Sequence, residues 1–326
     1  MATREKMVAG LWDTLKWLCC QRRPSSFNRG APMRERQVTV NGVDIVYREQ
    51  GEGPLALLLH GVPLPAPTYR FLMPALAEAG FRAVAPFARG FAPSSVPPAD
   101  RLHLSDLVAD ANALHEVLGG DEHAVLIGHD FGAATAWAAA VQAPKRWSRL
   151  VACDVPPLRF FGPMAMTPEG IEQFSHFWFF QMSVADEVVG ADDMAYVRFL
   201  LDKHTADGYD FSEDLGYAKE GLRNPENRTA MVGLYRSNFS ADRFGTPDWA
   251  AEQSALWGEL PTQPTLNLFG SEDQGMKMTD EVLATIVDAL PPGSAGAIVE
   301  GSGHFCLTER PAETNAHILR FLAETA

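Results

Sequence analysis

The segment VLIGHDFGAATAW, Val125 to Trp137, sets the narrowest condition on the fold. A short apolar run ending at Gly128 reads as a strand buried on both faces. The alanine-rich stretch after Gly132 reads as a helix. Only His129, Asp130 and Phe131 separate the two glycines. A chain that turns from strand to helix so quickly needs small residues at the turn and strains the residue at its tip. Asp130 occupies that tip. It also opens a helix, where unpaired N–H groups and the helix dipole favour negative charge. An ordinary aspartate pKa is about 3.9, so the carboxylate stays ionised. Its plainer role would be to cap the helix, and the rest of the chain weighs against that.

Around this unit, strands and helices alternate. QVTVNGVDIVYREQG reads as a β-hairpin turning at Asn41-Gly42. LALLLHG, FRAVAP, HAVLIGH and SRLVACDV read as strands, with helices expected near Tyr69–Ala79, Leu104–Leu118 and from the turn to about Gln142. From Pro156 to about Pro264 the pattern becomes aromatic and helical, with FSHFWFF, YVRFLLDKH and MVGLYRSNF and no clear strand. PTLNLFG and GAIVEG resume the sheet, and a last helix starts near Pro311. The expected fold is α/β: a mostly parallel, doubly wound sheet with an inserted helical cap. The expected divisions are a leader at 1–35, a core at 36–156 and 262–326, and a cap at 157–261.

A chain of 326 residues can hold one such domain with an insertion. Its 46% hydrophobic and 21% charged residues suit a soluble globular protein. The net charge of −14 repels phosphate backbones, so nucleic acid is not an expected partner. Cys19 and Cys20 adjoin while Cys153 and Cys306 stand alone, which is no disulfide framework and fits a cytoplasmic setting. No run approaches the roughly 20 apolar residues of a membrane span. In the leader, Leu11, Trp12, Leu15 and Leu18 share a helical face ahead of Arg22 and Arg23. That face reads as a surface or acylated anchor, or, more simply, as a weakly ordered leader or a helix packed on the body. Stable membrane association is therefore not expected.

The turn at Asp130 has the form of the G-x-nucleophile-x-G elbow, with aspartate where serine is usual. Two further groups follow in the order that such a site requires, an acid and then a histidine. His304 sits among glycines after the last strand, in VEGSGHFCLTERP. For the acid there are two candidates. Asp273 follows the strand LNLFG and is favoured by that context, while Asp154 ends the strand after the elbow and is the alternative. Backbone N–H groups of Phe131 and of Val62, in LHGVP, are placed to form an oxyanion hole. The carboxylate decides the chemistry. A serine attacking saturated carbon leaves an ether that water does not readily cleave, whereas an aspartate leaves a hydrolysable ester. Epoxides and alkyl halides are the matching electrophiles, and neither a metal nor an organic cofactor is required.

HGVP, GHDFGA, GSED and GSGHF, in this order within about Gln37 to Phe321, resemble the α/β-hydrolase superfamily and its epoxide hydrolase branch. The resemblance implies that an epoxide is opened to a vicinal diol through an aspartyl ester. It also implies two acidic donors on the cap, usually tyrosines, that hold the epoxide oxygen. Tyr235 in GLYRSNF matches the second. The first falls in FSHFWFF, which has no tyrosine; His176 is similar to the histidine used there by Cif-type epoxide hydrolases, and Trp178 is the other candidate. His60, Phe177 and Trp178 are the expected substrate contacts, and the expected partners are a small apolar epoxide and water. Oligomeric state is open, a homodimer included. His103, His115, His123 and His204 lie apart, lack metal-ligand spacing and carry no assigned role.

Two rival readings use the same fold. Haloalkane dehalogenases place tryptophan after the nucleophile, and this chain has Phe131; Val62 also lacks the side chain that completes a halide site. Haloacid dehalogenases hold the substrate carboxylate with arginines where this chain has Phe131 and Ala134. Trp178 and His176 could still cradle a halide. A catalytically silent, ligand-binding hydrolase fold predicts a missing triad member, and the sequence lacks none.

Overall fold

A computed structural model describes residues 32–325. The readings made for the leader fall almost wholly outside the described residues. One eight-stranded sheet runs through the molecule: β1 (Arg34–Val40), β2 (Val43–Gln50), β3 (Leu55–Leu59), β4 (Arg82–Pro86), β5 (Val125–His129), β6 (Arg149–Cys153), β7 (Thr265–Gly270) and β8 (Ala295–Val299). Their spatial order is β1-β2-β4-β3-β5-β6-β7-β8. The β1–β2 and β2–β4 pairs are antiparallel, and every pair from β4 to β8 is parallel. Asn41 and Gly42, with φ of 51° and 78°, turn the hairpin in the conformation that an Asn-Gly pair adopts most readily.

The central strands are apolar because helices cover both faces. Helices Leu104–Val117, Phe131–Gln142 and Asp280–Ala289 pack on one face, helices Leu72–Glu78 and Pro311–Glu324 on the other. The expected helix at Tyr69–Ala79 divides into a single 3₁₀ turn, Ala66–Tyr69, and the helix Leu72–Glu78. Between β6 and β7 the chain forms eight helices, from Leu158–Ala165 to Pro247–Trp257, and no strand. Those from Ser175–Phe179 to Pro225–Asn238 share an apolar cluster with strand-end loops of the sheet, in which Val62, Phe91, Phe131 and Phe305 meet Phe180, Val197, Leu201 and Tyr235. Asp130, Asp154, Asp273 and His304 all follow the carboxyl ends of parallel strands. That edge is where open α/β sheets form their binding crevices. Among the described residues no helix is long and apolar enough to cross a membrane.

Candidate active site

Asp130 follows β5 and precedes the helix Phe131–Gln142, with φ 55° and ψ −124°. A β-carbon is strained there, so only close support by neighbours holds the position. Three glycines supply the room. A β-carbon on Gly128 would fall 2.2 Å from the Gly132 carbonyl oxygen. One on Gly132 would fall 1.8 Å from that of Leu59, and one on Gly61 would fall 2.1 Å from Asp130 Oδ1. The strand, the elbow and the β3 loop are thus in backbone contact, and the aspartate is pressed against the loop that carries Val62.

The Asp130 carboxylate has two different oxygens. Oδ1 accepts the Val62 N–H at 2.7 Å, while Oδ2 lies 3.5 Å from His304 Nε2. Burial pushes this carboxyl up, but the hydrogen bond and charge of His304 and the Phe131 N–H outweigh it and hold the group near about 2. The other ring nitrogen of His304, Nδ1, is 3.0 Å from Asp273 Oδ2. Asp273 is buried, and its Oδ1 accepts the N–H groups of Gly275 at 2.7 Å and Met276 at 3.3 Å. Burial raises it, yet His304 and these N–H groups bring it below the ordinary carboxylate range. For His304, burial opposes protonation, but Asp273 and Asp130 together push it well above an ordinary imidazole. The two carboxylates thus favour the protonated form of the ring between them.

Asp154 lies beneath this array and does not enter it in the same way. It is fully buried, with φ 56°; Oδ1 accepts the Gly270 N–H at 3.1 Å, and among the described residues Oδ2 has no hydrogen-bond partner. Burial, with Cys306 and Asp273 beside it, pushes its carboxyl well above the usual range against the opposing pull of His304. His129, Asp154 and His304 have ligand atoms within 4.8 Å of one another. His129 Nε2 already bonds the His304 carbonyl, however, and His304 Nδ1 bonds Asp273.

In front of Asp130 opens a cavity lined mainly by apolar and aromatic side chains. Tyr235, from the helix Pro225–Asn238, packs edge-on against Phe131 with centroids 5.1 Å apart. His176, from the helix Ser175–Phe179, stands 5.5 Å from Tyr235 in the same manner. Burial, then the Asp130 charge, pushes the Tyr235 hydroxyl well above its usual pKa. Burial and the nearby His204 push His176 well below its own, so its ring is neutral. His176 Nδ1 is buried without a hydrogen-bond partner among the described residues. Phe177 also lines the cavity.

The structure does not bring His60 or Trp178 to this cavity wall. His60 holds its own loop: Nδ1 bonds the Gly61 carbonyl at 2.8 Å and Nε2 accepts the Ala88 N–H at 2.8 Å. The Trp178 indole packs edge-on against Phe244, 5.0 Å away, with its N–H buried and unpartnered. On so short a helix, a neighbour two residues after His176 points elsewhere.

Two groups at the site carried no sequence signal of their own. His204 lines the cavity, and its carbonyl accepts the His304 N–H at 2.7 Å. Glu309 accepts the N–H groups of Gly303 and Phe305, on either side of His304, and that of Ala206 in the cap, at 2.7–2.9 Å. A lone histidine ending an amphipathic helix reads as surface. A glutamate five residues after His304 offers at most a spacing.

A family profile described as the alpha/beta hydrolase fold matches residues 54–311. Epoxide hydrolase A of Mycobacterium tuberculosis is 30% identical, over 90% of this chain and 98% of the relative. An epoxide hydrolase of Caballeronia sordidicola is 28% identical, over 89% and 94%. Among solved structures, an epoxide hydrolase from an endophytic Streptomyces is similar with a TM-score of 0.74 and 26% identity, covering 90% of this chain and 96% of that one.

Proposed function

The chain belongs to the α/β-hydrolase superfamily, in its epoxide hydrolase branch, and from that premise we propose that it opens a small, largely apolar epoxide to a vicinal diol through an ester on Asp130. One observation carries this reading. The elbow carboxylate has one oxygen on the Val62 N–H and the other facing both His304 and an apolar cavity under Tyr235 and His176.

In the first step Asp130 Oδ2 attacks a ring carbon. The C–O bond of the epoxide breaks, and the departing oxygen takes its proton from the Tyr235 hydroxyl. The neutral His176 N–H donates a second hydrogen bond to it. In the second step water attacks the ester carbonyl carbon, giving its proton to His304 Nε2. Oδ1 becomes the oxyanion and is held by Val62 and Phe131; one such donor is typically worth roughly 10²–10³ in rate. The tetrahedral intermediate then collapses as the His304 imidazolium protonates the leaving oxygen, which expels the diol, and the new Asp130 carboxyl returns its proton to His304. His304 can serve as base here because the ester has removed one of the two negative charges that held its resting proton, and that proton passes to the tyrosinate that ring opening leaves at Tyr235. Asp273 orients the ring and steadies the imidazolium that forms.

Aspartate at this elbow also suits alkyl halides, but Phe131 and Val62 offer no side-chain donor to a halide, and Trp178 faces Phe244. The decisive test is mass spectrometry of the His304→Gln protein after exposure to epoxides and to alkyl halides. An epoxide-sized adduct on Asp130, together with loss of turnover in Asp130→Asn, is expected. Adducts from halides alone would overturn the epoxide reading, and full activity in Asp130→Asn would overturn both.

A further inference from the structure

The cavity has a polar group that ring opening does not use. Gln253 lies on the helix Pro247–Trp257, is 4% exposed, and lines the cavity. Its Oε1 accepts the Trp257 indole N–H at 3.1 Å. An indole nitrogen can only donate, so this contact fixes which end of the amide is oxygen. The NH₂ end is therefore the one left over, and among the described residues it has no acceptor. Asn238, the other amide of the wall, is different: it accepts from the Leu104 N–H and donates to the Leu234 carbonyl, which ties the cap to the core.

Gln253 stands away from the nucleophile. Its helix runs beside the later turns of the elbow helix, where Gln142 donates to the Leu256 carbonyl at 3.2 Å. Asp130 is at that helix's opposite end. Among the described residues, no lysine or arginine lines the cavity, while Asp130 and Asp273 do. An anionic tail is accordingly disfavoured, and a neutral oxygen is favoured.

We propose that Gln253 is a specificity-determining subsite for a neutral hydrogen-bond acceptor, so that the substrate is an epoxide with a hydroxyl, ether or carbonyl oxygen remote from its ring. This rests on the epoxide reading for the reactive end only. The buried donor, once unpaired, penalises any ligand that presents hydrocarbon to it.

Two measurements test the assignment. The first is the ratio of kcat/KM for a terminal 1,2-epoxyalkane and for the same chain with a remote methylene replaced by a carbonyl. The second is calorimetric binding of the unreactive ketone 4-phenylbutan-2-one and its hydrocarbon isostere 2-methyl-4-phenyl-1-butene. Wild type is expected to favour the carbonyl member of each pair by about tenfold, the scale of one neutral hydrogen bond in a buried site. Gln253→Leu and Gln253→Met remove the N–H without adding a carboxyl that burial would protonate into a donor, so both ratios should fall to near one. Equal affinities in wild type, or discrimination retained in both variants, would overturn the proposal. Ketone discrimination without turnover of either epoxide would sink the epoxide reading and leave this subsite standing.

Discussion

Asp154 and Asp273 are both buried carboxyls within reach of one histidine, and only one can orient it. The contact at 3.0 Å between Asp273 and His304 Nδ1, with two backbone N–H groups on the other oxygen, favours an ionised Asp273. Asp154 has one N–H on one oxygen and, among the described residues, no hydrogen-bond partner on the other. Asp273→Asn should therefore lower kcat by about 10³–10⁴, the cost of a misoriented imidazole. Asp154→Asn should stay within about tenfold. Stability separates them as well, with opposite sign. Asp273 has its carboxyl lowered on folding, so it adds stability above about pH 3.9 that is lost as pH falls through its folded value. For Asp154 the carboxyl is raised, so the folded state keeps a proton that the unfolded chain releases above about pH 3.9. Its penalty grows with pH until the folded value is reached. Melting temperatures taken at pH 4, 6 and 8 should shift in favour of Asp154→Asn as pH rises, and against Asp273→Asn. Parallel behaviour of the two variants would contradict the assignment.

At the scale of elements, the His304 loop is fastened rather than free. The Glu309 carboxylate binds both neighbours of His304 and also the Ala206 N–H, joining the loop to the cap chain that follows the helix Ala195–His204. Glu309→Ala leaves three N–H groups without this acceptor. The expected loss is about 2–4 kcal/mol, from about 1 kcal/mol for each hydrogen bond. Limited proteolysis should then speed up in the turn near Gly208, and kcat should fall more than KM rises. Glu309→Gln, with one accepting oxygen, should lie between. An unchanged cleavage rate would remove Glu309 from this role. The same elements show what a single sequence can and cannot convey. Strands β3 to β8 were legible because runs such as LALLL and VLIGH are apolar on both faces, and the elbow because Gly128 and Gly132 cannot carry a β-carbon there. Asp273 and His304 were legible from chain order and strand-end position. The orientations of Trp178 and His60 were not, since they depend on which side of a short helix or loop meets Phe244 or Ala88. His204, Glu309 and Gln253 were missed for a related reason. His204 meets His304, and Glu309 meets Ala206, about 100 residues away across the seam between cap and core, while the tie from Gln253 to Trp257 four residues on reads as an ordinary helix-surface pair.

Charge acts on the whole molecule differently from the way it acts at the site. With 41 acidic and 27 basic residues, the surface repels itself at neutral pH. The attractions that build the site are short and buried: the Asp130–His304 contact spans 3.5 Å and the Asp273–His304 contact 3.0 Å. Salt screens the first kind of interaction far more than the second, because the Debye length falls from about 30 Å at 0.01 M to about 8 Å at 0.15 M. Raising sodium chloride across that range at pH 8 should therefore raise the melting temperature, by about 2 °C for each kcal/mol of repulsion relieved. Near pH 5.1, where the chain approaches neutrality, the effect should vanish. Turnover should not follow. A neutral epoxide is not steered by the acidic field, and the catalytic carboxylates hold their charge through contacts that salt does not reach. Over the same salt range kcat/KM should accordingly stay constant within about twofold. A steep fall in kcat/KM with salt would mean that the field gathers a cationic substrate, and the neutral-epoxide reading would then be wrong at its reactive end and at Gln253 alike.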